Sequence, residues 1–309
     1  MSITFCIVSL YKTQWLINTL KSIEQYCPEE YRIKLLLVGN PNRELKQMLD
    51  SWGRIVSLTI SPVNLGDGGG RKLLGRDIET SFTMMLDDDM YLTDGAIEKA
   101  LNVLQCGHRI GAVSIPSENP QGRLMSFGGR NITIRDGVIS TSEPKWDPLE
   151  KTIEVQDLDG GAMLMKTAML SDFQWDSHYF GGFGDLDKSL QILRSGKWKQ
   201  AIVPAARLVH DRSWLQDEAA APYVRTRLNG LVIRKCYHYF RKKWHLRLRL
   251  VDHLLCELGF PLLTLIPSQW PNTAVDKFLR ENRRLRKESA SERREQVVRT
   301  NLGSTTPIL

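Results

Sequence analysis

The sequence predicts an α/β fold: a mostly parallel sheet flanked by helices, followed by a basic helical C-terminal region. Three observations carry this reading. Over the first two hundred of the 309 residues, strand-like and helix-like segments alternate, as they do in βαβ units. The strand-like runs are continuously apolar, as expected of a sheet covered on both faces. After residue 222 the composition turns helical and basic. Residues 223–300 hold 18 Lys and Arg against 7 Asp and Glu, although the whole chain carries a net charge of only +7.

The elements follow in order. "ITFCIVSLY" opens as a β-rich run, and in "QWLINTLKSIEQY" Trp15, Leu16, Leu20 and Ile23 recur at helical spacing. "YRIKLLLVG" reads as a strand, "NRELKQMLDSW" as a helix, "RIVSLTISP" as a third strand and "GRKLLGRDIE" as a helix. "SFTMMLDDD" is a fourth strand ending in Asp87, Asp88 and Asp89. "DGAIEKALNVLQ" is a helix with Asp94 near its start, and "IGAVSIP" is strand again. From about 117 to 160 the pattern loosens into turns and short strands such as "RNITIRDGVIST", and no internal repeat is found. These segments predict one domain over 1–222, with halves of about 1–115 and 116–222. A basic helical extension over 223–287 and a flexible polar tail over 288–309 complete the chain.

Composition narrows the class. Apolar content of 42% and charged content of 25% are ordinary for a globular protein. No apolar run reaches the ~18–20 residues that span a bilayer, and the start lacks a signal-peptide pattern. Five scattered cysteines (Cys6, Cys27, Cys106, Cys236, Cys256) without a CxxC pair argue for reduced thiols in a cytoplasmic protein.

The three consecutive carboxylates ask for compensation, because like charges this close repel. In open α/β sheets ligands bind beyond the C-terminal ends of strands, where Asp87, Asp88 and Asp89 are expected. Clustered carboxylates suit a hard divalent cation, Mg²⁺ or Mn²⁺, shared with a substrate's phosphates. In extended chain Asp87 and Asp89 point the same way and can serve one site. The competing reading is an acidic turn that supplies caps and solubility. "GDGGGRK" lacks the spacing of a P-loop and is not read as one.

Five segments, in order, resemble glycosyltransferase family 2, over roughly residues 3–245. They are "FCIVSLYKTQWLINTLKSI", "NLGDGGGRKLLG", "MMLDDDMYLTDGAIEKAL", "DLDGGAMLMKTAML" and "FGGFGDLDKSLQILRSGKWKQAIVPAARLVHD". The resemblance implies a Rossmann-like, A-type nucleotide-sugar-binding fold and a metal-dependent, inverting transfer from a nucleoside-diphosphate sugar to an acceptor hydroxyl. It implies Asp185 as the catalytic base, with Asp187 a supporting carboxylate. Asp87 would contact the ribose or nucleotide, with Asp88 adjacent, and Asp89 and His210 would hold Mn²⁺ or Mg²⁺. Arg71 would reach the nucleotide or its phosphates, and Asn64 belongs to the same nucleotide-binding set. Gly160 and Gly161 would let the backbone approach sugar or acceptor closely. Without the resemblance, Asp185 and Asp187 read as helix decoration and His210 as a structural histidine. Trp175, His178 and Tyr179 either stack on a sugar ring or fill core.

Two positions depart from the family pattern. Gly39 stands where an Asp usually contacts the nucleobase, leaving Asn40 as the candidate base contact, and Gly184 stands where Glu usually precedes the catalytic Asp. The acceptor is left open among a polysaccharide, a lipid-linked sugar, a peptide and a metabolite. The basic, aromatic 223–287 region reads either as a packed lid or oligomer contact, or as a peripheral contact with an anionic membrane. Nucleic acid is not expected, and a homodimer is open. The rival functions are a sugar nucleotidyltransferase and a catalytically retired sugar-binding or scaffold subunit.

Overall fold

The computed structural model describes residues 2–10, 13–52, 55–145, 152–216 and 229–257. Four parallel strands form its N-terminal half: β1 (Ser2–Leu10), β2 (Glu30–Val38), β3 (Ile55–Ser61) and β4 (Phe82–Asp87). Helices α1 (Thr13–Tyr26), α2 (Arg43–Ser51) and α3 (Gly66–Leu74) connect them. A turn at Asp88 and Asp89 leads to β5 (Met90–Leu92), α4 (Ala96–Cys106) and β6 (Ile110–Ser114). Short strands follow: β7 (Ser117–Glu118), β8 (Leu124–Ser126), β9 (Gly129–Arg135), β10 (Val138–Ser142), β11 (Ile153–Val155) and β12 (Asp157–Leu158). The chain continues through β13 (Ala162–Lys166), α5 (Gly184–Ser195), β14 (Lys199–Ile202) and β15 (Leu208–His210). It then forms α6 (Gly230–Trp244), β16 (Arg247–Leu248) and α7 (Leu250–Glu257).

The main sheet has eight strands in the order β11-β14-β6-β13-β4-β1-β2-β3. It is mixed rather than uniformly parallel, because β13 lies antiparallel between β4 and β6. No helical crossover feeds β13: it enters from a turn at the edge where the parallel strands end, so it runs back against them. Both faces are covered. Ile3, Phe5 and Ile7 of β1 pack on one side with Leu16, Leu20 and Ile23 of α1, whereas Cys6 packs on the other with Leu74 and Met163. This is the period-two alternation of a strand, made apolar on both sides by burial.

Two elements differ from the sequence expectation. The helix expected over 70–79 spans Gly66–Leu74. It starts early because Asn64 Oδ1 accepts the Gly66 N–H at 2.8 Å, and because Asp67 and Gly68 N–H donate to the carbonyls of Phe180 and Tyr179. The extended run of carboxylates stops at Asp87, and Asp88 and Asp89 form a turn. Their side chains therefore part instead of alternating along one strand.

Helix α6 packs as a structural element. Its Ile233, Cys236, Tyr237 and Phe240 form a third core cluster with Tyr179, Phe183, Leu186 and Leu190. The 288–309 tail and the remainder of the extension from 258 onward lie outside the described residues. Among the described residues no helix is long and apolar enough to cross a membrane, and no disulfide joins the cysteines.

Candidate functional site

The parallel strands β1 to β4 all end at one edge of the sheet, and the predicted site residues collect there. Arg71, on α3, is buried with a side-chain exposure of 8%. Its Nη1 donates to Asp185 Oδ1 at 3.0 Å and to Asp67 Oδ2 at 3.1 Å, and its Nη2 donates to Asp87 Oδ1 at 3.1 Å. One guanidinium thus joins the end of β4, the first turn of α5 and its own helix. A planar fork with five N–H donors is suited to three carboxylates at once. Burial alone would ease its proton off, but Asp67, Asp185 and Asp87 outweigh burial and hold Arg71 above its ordinary range.

Asp185 sits in the first turn of α5, where the helix dipole favours a negative charge. Burial raises its carboxyl pKa, and Arg71, Lys188, the Gly160 N–H and Arg130 together more than reverse that. It is held below the usual carboxylate range and remains 28% exposed. Asp87 is 38% exposed beside it.

Gly160 and Gly161 form the turn before β13, and their role is visible in what a side chain would strike. A Cβ at Gly160 would collide with Asp185 Oδ1 and Arg71 Nη1, and one at Gly161 with the Asp87 carboxylate. The two glycines make room for the carboxylates first of all. The turn is also bonded to the site, since Asp87 N–H donates to Gly161 C=O at 2.8 Å.

The other two carboxylates of the triplet are compensated separately. Asp88 is buried and accepts from Ser9 Oγ at 2.6 Å, while its carbonyl accepts from Thr19 Oγ1 at 2.9 Å. Asp89 is buried as well. Trp214 Nε1 donates to its Oδ2, and its Oδ1 lies 3.5 Å from His210 Nε2. Pairing of β15 with β5 sets this meeting, because His210 stands opposite Met90, the residue after Asp89.

Asp89 and His210 are of the ligand types that hold a divalent cation. His210 Nε2, 3.5 Å from Asp89 Oδ1, accepts from Arg212 Nε at 3.3 Å, so a cation shared with Asp89 would have to displace that guanidinium, while buried Nδ1 on the other side of the ring has no hydrogen-bond partner among the described residues. Two protein ligands leave positions for diphosphate oxygens. No group of three or more His, Cys, Asp or Glu suited to a metal occurs among the described residues.

The remaining sequence candidates are spread along the same edge. Asn64 is committed to the start of α3. Asn40 is exposed just beyond β2, and no described contact joins it to the Arg71 cluster. Gly39 has φ +84°, a left-handed backbone that favours glycine, and a Cβ there would meet nothing within 4 Å. Trp175 and Tyr179 are buried and fill core, whereas His178 is exposed and stacks on Tyr239 at 4.3 Å. Asp187 is buried and accepts from Tyr179 Oη, Gln191 Nε2, Lys243 Nζ and Trp244 Nε1, so it anchors α6.

Sequence reasoning missed Asp67, Lys188, Ser9 and Trp214. Asp67 was findable as the i,i+4 partner of Arg71, and Lys188 as a cation one turn beyond Asp185 on the same helix face. Ser9 and Trp214 reach the triplet only through tertiary folding.

The strand order, with an antiparallel strand inserted beyond the fourth parallel one, is the fold of the A-type glycosyltransferases. Solved structures of that fold resemble this chain: GalNAc-T7 with UDP, GalNAc and Mn²⁺ aligns over 92% of this chain with a TM-score of 0.57 and 13% identity. Staphylococcus aureus TarS 1-349 in complex with UDP aligns over 79% with a TM-score of 0.51 and 13% identity, covering 72% of that chain. This chain spans only 54% of GalNAc-T7. No family model and no curated protein sequence matches.

Proposed function

We propose that this protein is a metal-dependent inverting glycosyltransferase that moves a sugar from a nucleoside-diphosphate sugar to an acceptor hydroxyl. The observation that carries the reading is the Arg71-centred meeting of Asp87 and Asp185 beside the Gly160 and Gly161 turn. UDP bound in both structural neighbours supports a uridine donor. Asn40 and Asn64 would meet the nucleotide alongside Asp87, and Asp88 holds the turn through Ser9. Asp89 and His210 would hold Mn²⁺ or Mg²⁺, which would offset charge on the departing diphosphate.

In the reaction Asp185 accepts the proton of the acceptor hydroxyl. The acceptor oxygen forms its bond to the anomeric carbon from the face opposite the diphosphate. The anomeric carbon–oxygen bond to the diphosphate breaks, and its electron pair leaves with the phosphate. Asp185 paired with Arg71 is a weak base. A diphosphate that draws Arg71 toward itself frees Asp185 and raises its proton affinity as the donor binds.

Exposed Lys235, Lys242, Arg247 and Arg249, with Leu250 at 67% and Leu254 at 50% exposure, support an acceptor presented on an anionic membrane surface.

Calorimetric titration with UDP-, GDP- and dTDP-sugars, with and without Mn²⁺ or Mg²⁺, tests the donor site. Metal-dependent binding of one nucleotide class is expected, lost in Asp89→Ala and kept in Asp185→Asn, which loses turnover. Consumption of a nucleoside triphosphate with release of pyrophosphate would favour a nucleotidyltransferase. Absence of binding to any donor by folded protein would favour a retired scaffold.

A further inference from the structure

Lys188 lies directly behind the candidate base and has no part in the transfer described above. It is completely buried on α5, three residues after Asp185. Its Nζ donates to Leu158 C=O at 2.8 Å and lies 3.4 Å from Met163 Sδ. Its ammonium also lies 5.6 Å from the ring centre of Trp175, whose ring is 5.1 Å from the Arg71 guanidinium. A lysine ammonium is strongly hydrated, and burying one is costly unless nearby anions compensate it. Burial does lower its proton affinity, opposed first by Asp185 and then by Asp157.

The connections run both ways. Leu158 stands two residues before Gly160, whose N–H donates to Asp185. Lys188 therefore ties the helix that carries Asp185 to the turn that holds it. Behind this, Ser189 Oγ donates to Asp157 Oδ1 at 2.8 Å, and Arg130 pairs with Asp157 at 2.6 Å and with Asp159 at 3.9 Å. The charged groups around Asp185 are thus Arg71 and Asp67 from α3, Asp87 from β4, Arg130 from β9, Asp157 from β12 with Asp159 just after it, and Lys188 from α5 itself. Arg71 is shared among three carboxylates and, on the reading proposed above, is the cation that meets the diphosphate. Lys188 cannot follow it, because it is enclosed.

We propose that Lys188 is a positioning residue that keeps Asp185 charged and in register with the Gly160 turn after Arg71 has turned to the donor. This rests on the reading of Asp185 as the base.

The test is Lys188→Met, which keeps the length of the side chain and removes the charge. Two readouts are needed. Carboxyl ¹³C NMR on the full chain, with Asp185 assigned by its loss in Asp185→Asn, should show Asp185 titrating at higher pH in Lys188→Met than in the native protein. In transfer assays kcat should fall about 10–100-fold with donor KM little changed, and the acid limb of kcat/KM should move to higher pH. If Lys188→Met does not fold, the Asp157→Asn/Lys188→Met double variant removes the stranded carboxylate and carries both readouts against Asp157→Asn alone. An unmoved Asp185 titration in a folded variant overturns the proposal. A native protein inactive with every donor overturns the base assignment instead, while the NMR comparison still reports on Lys188.

Discussion

Removing the guanidinium of Arg71 leaves Asp67, Asp87 and Asp185 facing one another without their shared cation. Breaking a buried ion pair from one side costs about 3–5 kcal/mol, and Arg71→Met is expected at the low end because Asp67 and Asp87 reach solvent. Urea unfolding at neutral pH measures it. The pH dependence has a definite sign. Asp185 is held below its ordinary range in the folded state, so its contribution is present above that range and disappears as pH falls through the lowered value. Arg71→Met should therefore lose less stability on acidification than the native protein. At this scale the sequence was informative about residue types but not partners. Asp87, Arg71 and Asp185 stand out by motif. Nothing local tells that Asp88 turns to Ser9, or that the cation beside Asp87 is an arginine sixteen positions earlier.

At the scale of elements, α6 is held by two carboxylates, buried Asp187 on α5 and partly buried Asp176 ahead of it. Asp187 accepts from Lys243 and Trp244, and Asp176 accepts from Lys243 at 2.8 Å and Tyr239 at 2.9 Å. Phe183, just ahead of α5, holds a φ of +67° while its ring packs 5.6 Å from Tyr237 and 5.3 Å from Phe240. Such a backbone costs about 1–3 kcal/mol in a non-glycine residue, and the aromatic packing offsets it. Helix α6 thus fixes the start of the helix that carries Asp185. Asp187→Asn weakens charge-assisted bonds to α6 and is expected to destabilise by about 2 kcal/mol. It should also lower kcat while donor affinity, read by calorimetry, stays unchanged. Strands and helices over 1–115 were legible because the strands are continuously apolar and the helices repeat apolar residues at helical spacing, although α3 starts earlier than its residues suggest. The packing of α6 was not, since "VIRKCYHYFRKKW" has the same composition whether its cations face water or Asp187.

For the whole molecule, the charge asymmetry read from the sequence remains on the surface in part. Lys243 and Arg241 are engaged by Asp187 and Glu257, whereas Lys235, Lys242, Arg247 and Arg249 stay exposed. Flotation with vesicles containing phosphatidylserine should carry the protein upward at low salt, and vesicles of phosphatidylcholine alone should not. Equal recovery with both compositions would remove the membrane from the acceptor reading.

The reversed strand β13 also has a consequence for the ancestry and engineering of such a chain. It is hydrogen-bonded to β4 along one side and to β6 along the other, both from the first 115 residues. A fragment ending near 115 would carry an open slot in the middle of its sheet, with two bare edges inviting foreign strands. Residues 1–115 and 116–222 are therefore not two modules that could be exchanged between relatives by cutting at the midpoint. They are interleaved, and a productive graft has to move the slot and the strand that fills it together.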